Sequence, residues 1–348
     1  MIELQLDRLQ FSFPDVHPSA TVTMEFQRTL RIPDDNRTHR LPPGLGAFAL
    51  RHVDDGSENV PAEWLTHGGV MLPMYQAEAM WIRFSAGHDD DRGVAYPFAI
   101  RIAAGKINAV TGQQWANGLH KDPQDYVVSP RQPWLDGFSV TKGTIRQFVA
   151  MPLGQGYTAE EQITGAADHG GVQLVVYPMK RDIFERRFPK RLKETMTLHA
   201  TCAMDAAVPM ARSAASRSAS MGLAPGGRMK QDIYDDPFNF DDWDQTQSSR
   251  CFVHIANSEM WRAFTGEASP TAPPTVADYT KAGLPWFDYY AEGTAVEGSA
   301  ILRGLKSVLQ FGQKKGETPL PENAPVSGEK VVTIRSRRTS AQVREGTF

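Results

Sequence analysis

The sequence predicts a β-rich α+β fold, with β-sandwich-like strands in the N-terminal half and short helices near the C-terminus. Three observations carry this expectation. Apolar and polar residues alternate with a period of two through much of the first 180 residues. Turn-forming clusters punctuate those runs at short intervals. Helical spacing with capping residues enters only late in the chain.

The strand expectations begin at the N-terminus. Ile2, Leu4 and Leu6 alternate with Glu3, Gln5 and Asp7, and 21–26 alternates in the same way. Further strands are expected at 47–53, 70–75, 80–85, 95–103, 106–111, 143–151 and 172–177. Pro42-Pro43-Gly44, Asp54-Asp55-Gly56 and the run from Gly87 to Asp91 separate them, and Ala104-Gly105 is short enough to turn a hairpin.

One phrase occurs twice. His67-Gly68-Gly69-Val70 recurs as His169-Gly170-Gly171-Val172, and each copy reaches a tyrosine, Tyr75 or Tyr177, at the same distance. Around it, Glu63-Trp64-Leu65-Thr66 aligns with Glu161-Gln162-Ile163-Thr164, and Phe48-Ala49 with Phe148-Val149. This reads either as an internal duplication around 48–85 and 148–180 or as chance matches on common turn chemistry. In both readings the glycine pairs supply positive φ, and each histidine begins an equivalent strand.

Beyond residue 180 the composition changes. Between Lys180 and Lys193 the basic residues Lys180, Arg181, Arg186, Arg187, Lys190, Arg191 and Lys193 face only Asp182 and Glu185, and Pro189 interrupts any long helix. The segment reads as a solvated connector or as a docking patch (180–193) for an acidic partner. An Ala/Ser/Met/Gly-rich stretch from 203 to 227 reads as a linker or a closely packed helix. Four regions are therefore expected: a β-rich region (1–180), a connector (181–227), a mixed α/β region (228–311) and an extended tail (312–348). In the third region 250–256 reads as a buried strand. Helices are expected at 259–264, capped by Asn257 or Ser258, at 275–283, and at 300–311 behind Ser299.

Bulk properties exclude several classes. The 348 residues carry a net charge of −3, so no global basic field draws the chain to nucleic acid. No apolar run is long enough for a membrane span, and the charged first residues do not resemble a signal peptide. Two cysteines, Cys202 and Cys251, make neither a disulfide scaffold nor a four-thiolate zinc site, which favours a reducing, cytoplasmic location. No cofactor is expected.

Candidate chemistry rests on few residues. His67 and His169 are candidates for general acid/base work or for metal ligation, but a Gly-x-Ser-x-Gly elbow is absent and two histidines fall short of the usual zinc ligand count. Gly226, Gly227, Arg228 and Lys230 are candidates for anion binding, since paired glycines expose backbone N–H groups and the cations add charge. The acidic run from Asp232 to Asp244 lacks the glycine and terminal glutamate of an EF-hand.

Arg146-Gln147-Phe148-Val149-Ala150-Met151-Pro152-Leu153-Gly154, the stretch 156–165 and Gly283-Leu284-Pro285-Trp286-Phe287-Asp288 are similar to segments of an uncharacterised protein group. With 221–228 they would cover much of 47–309. That group has no assigned activity, so the resemblance implies no function. The leading expectation is a non-enzymatic binding or assembly protein that self-associates as a homo-oligomer through the arms 181–193 and 329–348. The alternatives are an enzyme acting on an anionic small molecule and a metal-dependent protein using His67 and His169.

Overall fold

Alternation and turn chemistry produce strands in nearly every place the pattern predicts. The computed structural model describes residues 1–35, 37–56, 60–190, 219–268, 294–316 and 342–346. It opens with the hairpin β1 (Ile2–Gln5) and β2 (Arg8–Ser12), against which β3 (Thr21–Thr29) pairs. The short strands β4 (Thr38–His39), β5 (Gly44–Ala47) and β6 (Arg51–His52) lead to helix α1 (Ala62–His67), then β7 (Val70–Met74) and β8 (Ala79–Ala86). A separate ribbon, β9 (His88–Asp89) with β10 (Val94–Ala95), precedes β11 (Phe98–Ala104) and β12 (Ile107–Asn108). Next come β13 (Val127–Ser129), β14 (Trp134–Leu135), β15 (Gly137–Thr141) and β16 (Thr144–Pro152). Helix α2 (Ala159–Thr164), β17 (Val172–Pro178) and α3 (Arg181–Arg187) follow. The remaining described elements are β18 (Ser220–Lys230), β19 (Ser249–Asn257), α4 (Ser258–Thr265), α5 (Ala300–Gly304) and α6 (Val308–Lys315).

The fold is β-rich, with one large, mainly antiparallel sheet and a few short helices. Antiparallel neighbours run β1, β2, β3, β8, β16, β18, β19, β17, β11, β13. Two pairings are parallel: β7 on β19 and β4 on β18. The main core draws on residues from Ile2 to Val343 and includes Phe184 of α3 and Met221 and Leu223 of β18. The expected boundary near residue 180 therefore falls between β17 and α3, two elements that pack into the same core. A smaller cluster joins Trp64 of α1 to Trp261 and Phe264 of α4.

Several expectations need correction. The segment 47–53 is not one strand; it divides into β5, β6 and a tight helical turn at Val53–Asp55. The strand expected at 106–111 stops after Asn108, because the Asn108 Oδ1 accepts from the N–H groups of Val110 and Thr111 and folds the chain back. The hairpin before it turns on Gly105 and Lys106, both left-handed (φ 56° and 60°), one residue later than expected. The helix expected at 300–311 is two helices. Ser299 caps α5, and Ser307 with Gln310 forms a capping box that starts α6. The helix expected at 275–283 lies outside the described residues.

The largest departure is β18. Its Gly, Ala and Pro content reads as a linker, yet it is an eleven-residue strand. A bulge explains the composition: Phe148 pairs with Pro225 and Arg146 with Arg228, so Gly226 and Gly227 oppose Gln147 alone. A Cβ on Gly227 would fall 2.4 Å from the Pro33 carbonyl oxygen, so the small residues permit the close approach of 32–33.

Candidate functional site

Both His-Gly-Gly-Val segments converge on β19. Each is preceded by a six-residue helix, the first segment starting on the last residue of α1 and the second five residues after α2, and each leads into a strand. Val70 and Val172 pair with the same residue, Val253, from the two sides of β19. The strands then leave in opposite directions, β7 parallel to β19 and β17 antiparallel. The upstream surroundings differ: β6 pairs with β7, whereas β17 pairs with β11.

All four glycines have positive φ: 68° and 84° at Gly68 and Gly69, 58° and 56° at Gly170 and Gly171. They also let the chain touch β19. A Cβ on Gly69 would lie 2.1 Å from the Phe252 carbonyl oxygen, and one on Gly171 2.6 Å from that of Val253. Their backbone polar groups are fully used. In the first pair, Gly68 N–H donates to Trp64, Gly69 N–H donates to Arg344, Gly68 C=O accepts from His254 and Gly69 C=O accepts from Val53. In the second, Gly170 N–H donates to Glu160, Gly171 N–H donates to Met221, Gly170 C=O accepts from Gln173 and Gly171 C=O accepts from Gly105.

Above these turns the rings form a stack. His67 lies on Phe252 with centroids 4.5 Å apart, and His254 lies on Trp64 at 4.8 Å. His169 meets His67 edge-on at 6.2 Å. Burial drives the His254 imidazole down to about 3, against the opposing pull of its hydrogen bond to Gly68. It is therefore neutral at physiological pH, with Nε2 carrying the proton it gives to the carbonyl at 3.0 Å. Burial, then the nearby Lys106 charge, also lowers His67 and His169. Lys106 comes from the tip of the β11–β12 turn.

The second segment carries its own anion. Glu160 Oε1 accepts from Asp168 N–H at 3.2 Å and His169 N–H at 2.9 Å, and Oε2 accepts from Gly170 N–H at 2.8 Å. Burial still raises the Glu160 carboxyl above its usual range despite these three bonds. The nest that could receive an external carboxylate or phosphate is filled from within.

The structure brings His67 and His169 together, but neither begins a strand: His67 ends α1, and the strands start at Val70 and Val172. It does not bring them to the anion candidates. Gly226, Gly227, Arg228 and Lys230 lie inside β18, not in a loop, and Gly226 is five residues, ~17 Å, along the strand from Met221, which touches the second glycine pair. No exposed cradle of glycine N–H groups exists there. Among the described residues, no group of three or more His, Cys, Asp or Glu is placed to hold a metal ion. Cys251 is buried in β19 with its thiol pushed up by burial, and Cys202 lies outside the described residues. Several cations of the basic segment have partners in the chain: Arg187 pairs with Asp242 at 2.6 Å, Lys190 with Asp91 at 2.9 Å and Arg181 with Glu185 at 3.0 Å. Residues 191–193 lie outside the described residues, as does 329–341 of the expected tail arm; 342–346 lies against the chain itself, with Gln342 bridging Glu3 and Val343 N–H donating to Ile2.

Sequence reasoning missed Trp64, Lys106, Glu160, Phe252 and His254. The Thr158-x-x-Glu161 capping box marks the α2 start beside Glu160, but the contacts to β19 span too much chain for spacing to reveal. No helix of the described residues is long and apolar enough to cross a membrane. No family model, curated protein or solved structure matches the chain.

Proposed function

We propose that the protein is a non-enzymatic binding or assembly protein acting as a homo-oligomer, in which both His-Gly-Gly-Val segments are structural. The observation that carries this reading is the complete internal use of all eight backbone polar groups in the two glycine pairs. A catalytic loop needs free donors where charge develops, and these loops have spent theirs on the fold. The assembly part would place Leu6, 93% exposed at the tip of the β1–β2 hairpin in left-handed backbone, at a contact between chains. The reading takes the two helix–turn–strand units as products of one duplication, the sheet as sandwich-like, and the location as cytoplasmic. Light scattering across micromolar concentrations tests it. A stable mass of two or more chains, reduced by Leu6→Glu, is expected; a strict monomer overturns the assembly part.

A second reading, an enzyme or metal protein using His67 and His169, has one observation in its favour. The two imidazoles sit together with lowered proton affinity, and the His169 Nδ1 has no hydrogen-bond partner among the described residues. Titration with zinc, and separately with acetate, followed at both imidazole resonances, tests it. Shifts of both rings are expected under this reading, and unmoved rings reject it.

A further inference from the structure

A different part of the sheet holds charge that the fold leaves uncompensated. Arg146 of β16 stands directly opposite Arg228 of β18, beside the bulge at Gly226-Gly227. Like charges in this cross-strand position repel. The chain brings a further guanidinium, Arg31, to the carboxylate that Arg146 approaches. Residues 30–32 are pinned over Gln147, whose side chain bonds Leu30 C=O at 2.7 Å and Ile32 N–H at 3.0 Å, and this carries Arg31 and Asp34 across the bulge. Arg31 and Arg146 both feel the Asp34 charge.

The partners are few. Arg146 is 3% exposed; its Nη1 donates to Gly226 C=O at 3.3 Å and stands 3.8 Å from Asp34 Oδ1, too far for a hydrogen bond. The guanidinium groups of half-buried Arg31 and Arg228 make no hydrogen bond or ion pair with a described residue. The Asp34 side chain is only 6% exposed, and its Oδ2 is buried with no hydrogen-bond partner. Asp35, next in the chain, already holds His39 at 2.9 Å. Arg31 and Arg146 thus share one carboxylate, whose Oδ2 lacks a donor, and Arg228 opposite Arg146 brings further positive charge.

We propose that Arg31, Arg146, Arg228 and Asp34 form a binding site for hydrogen phosphate. The guanidinium groups match a doubly charged oxyanion and offer paired N–H donors. The orphaned Asp34 Oδ2 adds selectivity: it accepts the P–OH proton that hydrogen phosphate keeps at neutral pH. Sulfate has the same size and charge but no proton to give, so it would leave that oxygen unpaired and set against its own charge. The site goes beyond the assembly reading and does not depend on it, and it shares only Arg228 with the anion loop expected from the sequence.

Isothermal titration of the full chain with inorganic phosphate, and separately with sodium sulfate, tests the proposal. Phosphate is expected to bind at millimolar concentration or below, and sulfate at least about tenfold more weakly, the loss of one charge-assisted hydrogen bond. Arg31→Gln and Arg228→Gln should each weaken phosphate about tenfold. Asp34→Asn should narrow the gap between the two anions, because the amide donates to either. Circular dichroism and thermal unfolding without phosphate show that each variant is folded. Absence of phosphate binding by the wild-type chain overturns the proposal, as does undiminished binding in a folded Arg31→Gln/Arg228→Gln double variant. Equal affinity of the wild-type chain for both anions removes the role of Asp34. Light scattering with and without phosphate separates this outcome from that of the assembly reading.

Discussion

The two His-Gly-Gly-Val segments use one backbone solution and two different supports. Both place left-handed glycines against β19 and open a strand opposite Val253. The first is held by neutral groups and an incoming peptide: His254 donates to Gly68, and Arg344 accepts from Gly69. The second is held by a buried carboxylate accepting three N–H groups. The same four residues therefore fix the turn conformation but not what satisfies it; that is decided by residues far away in sequence.

The comparison can be broken most forcefully at the glycines that touch β19. Gly69→Ala and Gly171→Ala should each cost more than ~3 kcal/mol in urea unfolding, through positive φ plus collision with a strand carbonyl. Gly69 should suffer more, since its clash is the closer at 2.1 Å against 2.6 Å. Equal, small losses would show that β19 yields at both places.

Acid should separate the two segments. His254 titrates near 3 when folded and near 6.5 when unfolded, so the unfolded chain binds more protons between those values. The contribution of His254 to stability is whole above pH 6.5 and is lost as pH falls towards 3, each unit of separation being worth ~1.4 kcal/mol. Glu160 has the opposite sign. Its folded carboxyl is raised, so its contribution is greatest at low pH and declines as pH rises through that raised value. Unfolding measured from pH 4 to 8 should show a shallower acid-side slope in a folded His254→Asn variant and a weaker opposing slope in Glu160→Gln. An unchanged profile in both would contradict this assignment of the two supports.

At neutral pH, Glu160→Gln should cost ~1–3 kcal/mol, because one accepting oxygen becomes a donor facing N–H groups. Hydrogen exchange should rise at His169 and Gly170 while Gly69 stays protected. Arg344→Ala should be the mildest change. Its pair with Asp54 at 2.8 Å is partly exposed, so a loss below ~1 kcal/mol is expected, with faster exchange confined to the end of α1.

Much of the sheet was legible because alternation is local: the runs at 21–26, 80–85 and 172–177 became β3, β8 and β17. Caps were legible for the same reason, as at Ser299. What stayed hidden depends on partners distant in the chain. The glycines and Pro225 of β18 argue against a strand until the bulge opposite Gln147 and the crossing of 32–33 are known. His254 reads as one more residue in a buried strand, and only the arrival of β7 makes it the support of Gly68. The paired histidines were visible in the sequence; the phenyl and indole rings beneath them were not.

The shared partner of Val70 and Val172 has a consequence for how errors propagate. Both strands count their register from Val253, so a slip of β19 by one residue would misplace both segments together and turn Phe252 and His254 towards the core. Lesions at the two glycine pairs should therefore not add: once one has loosened β19, the second has less left to destroy, and a double-mutant cycle between them should return a coupling energy where sites 102 positions apart in the chain would otherwise be independent.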